Sequence, residues 1–327
     1  MRIKLRLSCL KLIPLCAIFP MCWLPAKAET CPQPVKIIVS YPAGSPDDLV
    51  ARILAQKLSE GGGRFYVENM PGASGMIGTA AASRALANGC TMVIVNQNFV
   101  VQAATNAKLS YDVPGSFTPV TLLVGAPEAI SVNPSVPATT LKDLVALVKA
   151  DPGKYNYASP GYGSSPHLAA EWLFKITEGL DVVHVPFQGG PPAAASTVAG
   201  HTQILFLTLP IVAPLAKEGK LRLLGVADKT RSAAFPDVPT LEEAGITGHE
   251  IGYWNGLLVP KGTDKDVVDR LTRQITRIMS LPDVRERLDE LGYTPINGSA
   301  EGFAARMKGE LVTWRDVVRI AHIKIEN

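Results

Sequence analysis

Three short loops carry the residues best suited to hold a small anion. In Gly44-Ser45-Pro46-Asp47-Asp48, Ser45 is placed as a helix N-cap, Pro46 as the first helical residue and Asp48 as the capping-box acid. Gly163-Ser164-Ser165-Pro166-His167 repeats the design with Ser165 and Pro166, and Phe187-Gln188-Gly189-Gly190-Pro191 repeats it with glycines. A helix start leaves backbone N–H groups without intrahelical partners, and the helix dipole adds positive potential there. Each loop is thus expected to present unpaired amides to an anion. Plain helix capping uses the same residues, so one such loop does not make a site; three of them gathered on one cleft do. Asp47 and Asp48 repel an anion unless they turn into the capping network or receive a ligand ammonium group. Asn96, Gln97 and Asn98 add uncharged donors and acceptors that either orient a polar ligand or close a turn.

Other chemistry is poorly represented. His167 and His184 lack a third partner at metal-ligand spacing, and His201 and His249 stand alone, so no metal and no cofactor are expected. The chain has no G-x-S-x-G elbow, since Gly72-Ala73-Ser74-Gly75 has the wrong spacing. It also lacks a P-loop, a G-x-G-x-x-G turn and an H-E-x-x-H helix. No enzyme is expected.

The elements that position the loops alternate. Val35 to Val39 reads as a buried strand, and 47–58 places Leu49, Val50, Ile53, Leu54 and Leu58 on one helical face. A strand at 65–68, a helix at 77–87 and a strand at 92–95 follow, then a second series of the same kind from Leu141 to Ala227. Such β-α alternation predicts parallel sheets with helices on both faces. In open sheets of this kind ligands sit beyond the carboxyl ends of the strands, where the three loops lie. Pro- and Gly-containing stretches at 132–138 and 235–252 are candidate crossings between two domains.

The first residues read as an address. Arg2, Lys4, Arg6 and Lys11 precede an apolar run from Leu12 to Leu24, and Ala26-Lys27-Ala28 suits signal peptidase, so 1–28 is expected to be a cleaved secretory signal. This leader holds five of the 32 basic residues and no acid, so the excess over the 29 acids is an export feature. Nucleic-acid binding gains no support from it. Three of the five cysteines also lie in the leader. The remaining pair, Cys31 and Cys90, suits a disulfide in an oxidising compartment, with two free thiols as the other reading.

Taken together, several segments resemble the Bug family of tripartite tricarboxylate transporter solute receptors. They are Tyr41-Pro42-Ala43-Gly44 through Ala51-Arg52, VENMPGASGMIG at 67–78, NYASPGYGSSPHL at 156–168, VHVPFQGG at 183–190 and FPDVPTLEEAG at 235–245. The resemblance implies an α/β, two-lobed periplasmic binding protein (a Venus flytrap), each lobe a sheet flanked by helices, with two crossover segments. Residues 29–131 and 250–327 would form lobe 1, and 132–249 lobe 2. It implies a periplasmic, monomeric receptor that captures a small di-, tri- or aromatic carboxylate between the lobes for the membrane subunits of a tripartite tricarboxylate transporter. The alternative is a sensor that presents the solute to a signalling receptor. The ligand role falls on Ala43, Gly44, Ser45 and Asp48, with Asn96, Gln97 and Asn98 nearby. In lobe 2 it falls on Gly161, Gly163, Ser164, Ser165 and His167, then Pro186, Phe187, Gly189 and Gly190, then Thr208. Relatives often carry an Asp where this chain has Leu207, so an acidic partner for a ligand amine is expected to be lost. Cys31 and Cys90 stand where relatives often have tyrosines, and their joint replacement fits a disulfide.

Overall fold

The computed structural model describes residues 31, 34–106, 108–246 and 252–320. The expected leader, His249 and the expected lobe boundary at 249/250 lie outside the described residues.

The first region opens with β1 (Val35–Val39), α1 (Pro46–Glu60), β2 (Phe65–Asn69), α2 (Met76–Ser83), β3 (Thr91–Asn96) and α3 (Asn98–Thr105). Strand β1 lies between β2 and β3, parallel to both. Its run VKIIV is buried almost throughout, as expected of a strand covered on both faces. Helix α1 turns Val50, Leu54 and Leu58 onto the sheet, where they join Ile37, Val39 and Met92 in one apolar cluster. Each such side chain contributes roughly 1.5–3 kcal/mol on burial. A disulfide joins Cys31 to Cys90, with 5.2 Å between the Cα atoms, and ties the start of β1 to the start of β3. Closing a loop of this length contributes about 4 kcal/mol in the chain-entropy account.

Strand β4 (Phe117–Val132) then passes from one region to the other. Residues 117–127 pair antiparallel with β9 (Gly252–Pro260), which returns beside β3. From Glu128 onward β4 pairs instead with β7 (Ile204–Thr208) and β8 (Arg222–Ala227). The change of partner follows Pro127, which lacks an amide hydrogen. The second region continues with α4 (Leu141–Ala150), β5 (Asn156–Ser159), α5 (Ser165–Glu171, extended as a π-helical turn to Thr177), β6 (Val183–Pro186), α6 (Gly190–Val198) and α7 (Leu209–Lys217). Strand β5 lies between β6 and β7 and is parallel to both. Helices α8 (Lys265–Met279), α9 (Pro282–Glu290) and α10 (Ala300–Ile320) close the chain, with the short β10 (Thr294–Pro295) added to β4. The α8 stripe of Val267, Val268, Leu271, Ile275 and Ile278 packs into the first region's core.

Sequence reasoning found the parallel strands and missed β4, which joins the regions, and β9 beside it. Strand β4 is buried on both faces for most of its length, so no period-2 alternation marks it, and it carries Pro119, Gly125 and Pro127. Helices α3 and α7 were missed as well. Among the described residues no helix is long and apolar enough to cross a membrane.

Candidate functional site

In the first region the loop after β1 is fastened by its own acids. Ser45 caps α1, its hydroxyl accepting the Asp48 amide at 3.3 Å, with Pro46 next. The Asp48 carboxylate reaches back to the Gly44 amide at 2.9 Å, one residue earlier than the capping box requires. It also receives Arg52 Nε at 2.8 Å and Asn69 Nδ2 at 2.8 Å. Burial pushes the Asp48 carboxyl up, but Arg52, Gly44 and Asn69 together hold it below its ordinary range. Asp47 faces inward and is 2% exposed. Asn96 Nδ2, the Tyr253 hydroxyl and Asn255 Nδ2 all donate to it, at 3.0, 3.0 and 2.9 Å. Burial dominates these bonds and lifts Asp47 to about 6. Tyr253 and Asn255 lie on β9, and nothing local in the sequence pairs them with Asp47. Ala43 and Gly44 are exposed at the loop tip.

In the second region the loop after β5 depends on glycines and rings. Gly161 and Gly163 have φ of +133° and +67°, which L side chains rarely adopt. The α5 N-cap is Ser164, not the expected Ser165; its side chain accepts the His167 amide and its hydroxyl donates to Gly161 O at 2.7 Å. His167 Nδ1 accepts the Gly163 amide at 3.1 Å, which sets the neutral ring as the Nε2–H tautomer. The His167 ring stacks on His184 at 4.2 Å between centroids, and Tyr157 covers the other face of His184 at 4.7 Å. Burial lowers His167 to about 4; burial, then His167 itself, lowers His184 to about 3. The Pro186–Gly190 turn is tied to this loop by Phe187 N to Ser159 O at 3.0 Å and Gly189 N to Pro160 O at 3.1 Å. Gly190 starts α6 so close to α7 that a Cβ would lie 2.6 Å from Ile211 Cδ1. Thr208 is buried and pairs in register with Glu128.

The expectation of unpaired amides is therefore corrected for seven of these residues. The N–H groups of Gly44, Ser45, Gly161, Gly163, Ser164, Ser165 and Gly189 all have protein acceptors. A second correction concerns Leu207. It packs with Ala193, Ala194 and Val212 in an apolar cluster beneath α6, so its identity does not bear on an amine partner in the cleft.

The two regions meet at Asn98. Its Oδ1 accepts the Ser165 amide at 2.8 Å and its Nδ2 donates to the Tyr41 hydroxyl at 3.1 Å. Beside this bridge lies a small open recess with Tyr41, Ser74, Asn96, Asn98, Gln102 and Tyr111 in its lining. Ser74, Gln102 and Tyr111 were not foreseen as site residues: Ser74 lies in the 67–78 segment after β2, Gln102 on α3 and Tyr111 beyond it. Gln97 turns away, with its Nε2 on Glu128 Oε1 at 3.4 Å. Glu128 is fully buried, and burial lifts it to about 8. Gln97 Oε1 and Glu128 Oε2 have no hydrogen-bond partner. Among the described residues no cluster of His, Cys, Asp and Glu is arranged to hold a metal.

Residues 50–322 match the model of the tripartite tricarboxylate transporter family receptor. The chain belongs to this receptor family. BugT of Bordetella pertussis is 30% identical over 306 residues, which cover 92% of this chain and 94% of BugT. MatC from Rhodopseudomonas palustris, solved with bound malate, is 30% identical with a TM-score of 0.79, over 87% of this chain and 98% of MatC. An R. palustris protein solved with adipate is 29% identical with a TM-score of 0.84, over 88% of this chain and 97% of its own. The fold of this family receptor is thus the expected two-lobed periplasmic binding protein, and the family is one of solute-binding proteins rather than enzymes.

Proposed function

We propose that this family receptor captures a small dicarboxylate between two lobes, residues 29–131 with 250–327 and residues 132–249, in the periplasm to which the 1–28 leader exports it. The observation that carries the reading is the junction at Asn98. There the loops after β1, β3 and β5 converge, and helix N-termini from both regions share one hydrogen-bond network. Helix N-termini favour negative charge, and a ligand with a carboxylate at each end engages both regions. The malate in MatC and the adipate in its R. palustris neighbour support the same ligand class. Ligand stabilises the closed pair by its greater affinity for that state, and the closed form is the one delivered to the membrane subunits of the transporter. The receptor works as a monomer.

The test is a thermal-shift screen of the mature protein, refolded to free it of carried ligand, against malate, adipate, citrate, benzoate and their amides. A ligand at 100 times its Kd adds about 2.7 kcal/mol and raises Tm by a few degrees. A shift from dicarboxylates and none from the amides is expected. No shift from any carboxylate sinks the proposal.

A further inference from the structure

We infer that Gln102 reads a hydroxyl group on the ligand and so narrows the ligand class to a hydroxydicarboxylate; the inference rests on the carboxylate reading above. Gln102 lies on the second turn of α3 and is 7% exposed. Its backbone carbonyl accepts the Asn106 amide at 2.8 Å, but among the described residues no group bonds its side-chain amide. A buried amide without a partner is uncommon in a folded protein and calls for a reason. Gln102 lines the small recess beside Asn98. The wall that carries it is firm: Val100 and Val101 are fully buried, and Phe99 stacks on Tyr111 and meets Phe117 edge-on at 5.5 Å. Other polar groups around the recess are already committed. The Tyr41 hydroxyl accepts from Asn98 Nδ2 and donates to Ser74 O, Asn96 Nδ2 donates to Asp47, and the Ser40 and Thr79 hydroxyls bond each other at 3.2 Å. Gln102 thus holds a donor and an acceptor that the protein itself does not use.

The surroundings select what Gln102 can take. None of the residues lining the recess is charged, and buried Asp47 stands directly behind Asn96. A carboxylate entering the recess would lose water without meeting a cation, and would face that acid. A hydroxyl is uncharged and is donor and acceptor at one atom, the complement of an amide that offers an N–H and a C=O. It also adds a single heavy atom, whereas a carboxamide adds three, and the recess is small. The carboxylates of the same ligand stay outside the recess, at the junction of the two regions. Water competes for the Gln102 amide, so the ligand hydroxyl gains the net value of a hydrogen bond and not its gross strength.

Malate and succinate differ by one hydroxyl. In calorimetric titrations of the mature protein, malate is expected to bind about 2- to 10-fold more tightly than succinate, the value of one net hydrogen bond. Gln102→Leu, which keeps much of the side-chain volume, is expected to remove this preference, the loss falling on malate, and Gln102→Ala is expected to do the same. Thermal unfolding is expected to show Gln102→Leu at least as stable as the parent, because no protein hydrogen bond is lost. Equal affinities in the parent, as a water serving Gln102 would give, overturn the inference and leave the carboxylate reading standing. A preference for malate that survives in both variants does the same. Binding of neither acid to the parent overturns both.

Discussion

The first region holds its site loop with a buried carboxylate, whereas the second holds its loop with glycine geometry and stacked rings. Around Asp47, three side chains from β3 and β9 converge on one acid with little access to water. Around Gly163, one imidazole accepts the loop amide and stacks on a second, whose other face a tyrosine covers. A site loop can thus be made rigid by long-range polar bonds or by local backbone geometry with aromatic packing. The two devices fail under different conditions.

The sharpest test of this contrast is Asp47→Ala. It leaves the Asn96 and Asn255 amides buried without their acceptor, while the Tyr253 hydroxyl retains Asn255 Oδ1 at 3.1 Å, and a loss of about 3 kcal/mol is expected in urea unfolding. A loss below about 1 kcal/mol would show that the network contributes little and that the first region is held mainly by its apolar core. For the second region the matching change is Gly190→Ala. Its Cβ meets the methyl ends of Ile211 at 2.6 Å and Leu207 at 3.2 Å, which must shift to admit it, so a loss of about 1 kcal/mol is expected. An unchanged midpoint would mean that α6 and α7 separate freely and that the loop is softer than described.

The pH profile of Tm should separate the two kinds of buried group, imidazole and carboxyl, by sign. His167 and His184 have folded values of about 4 and 3, below the ordinary 6.5. The unfolded chain binds more protons there, so their contribution is complete above about 6.5 and is lost as pH falls through 4 and 3. Glu128 is opposite, with a folded value of about 8 against an ordinary 4.5. The folded chain holds the extra proton, so stability falls as pH rises from about 4.5 to 8. His184→Phe is expected to flatten the acid limb only, and Glu128→Gln the alkaline limb only. A profile that moves on the same side for both variants would break the contrast.

Much of the second region's site was legible because its determinants are local. Glycines that must take positive φ, a serine before a proline and a following histidine lie within a few residues of one another, and their roles follow from backbone sterics. Even there the cap fell on Ser164 rather than Ser165, because two adjacent serines offer the same hydroxyl and only the chain's path chooses between them. In the first region Ser45, Pro46 and Asp48 were readable for the same reason, while the fate of Asp47 was not.

By itself, the sequence determined the alternation of the parallel strands with most of their helices, the Ser45 cap and the family, since each is written in short-range periodicity or in motif order. Only the tertiary structure decided which groups are paired. Asp47 finds Tyr253 and Asn255 across separations of 206 and 208 residues, and Asn98 finds Ser165 across 67. A polar side chain's role depends on whether burial brings it an acceptor or leaves it to water. That is settled by strands such as β4 and β9, whose pairing brings distant parts of the chain together and which carry no local signature of their own.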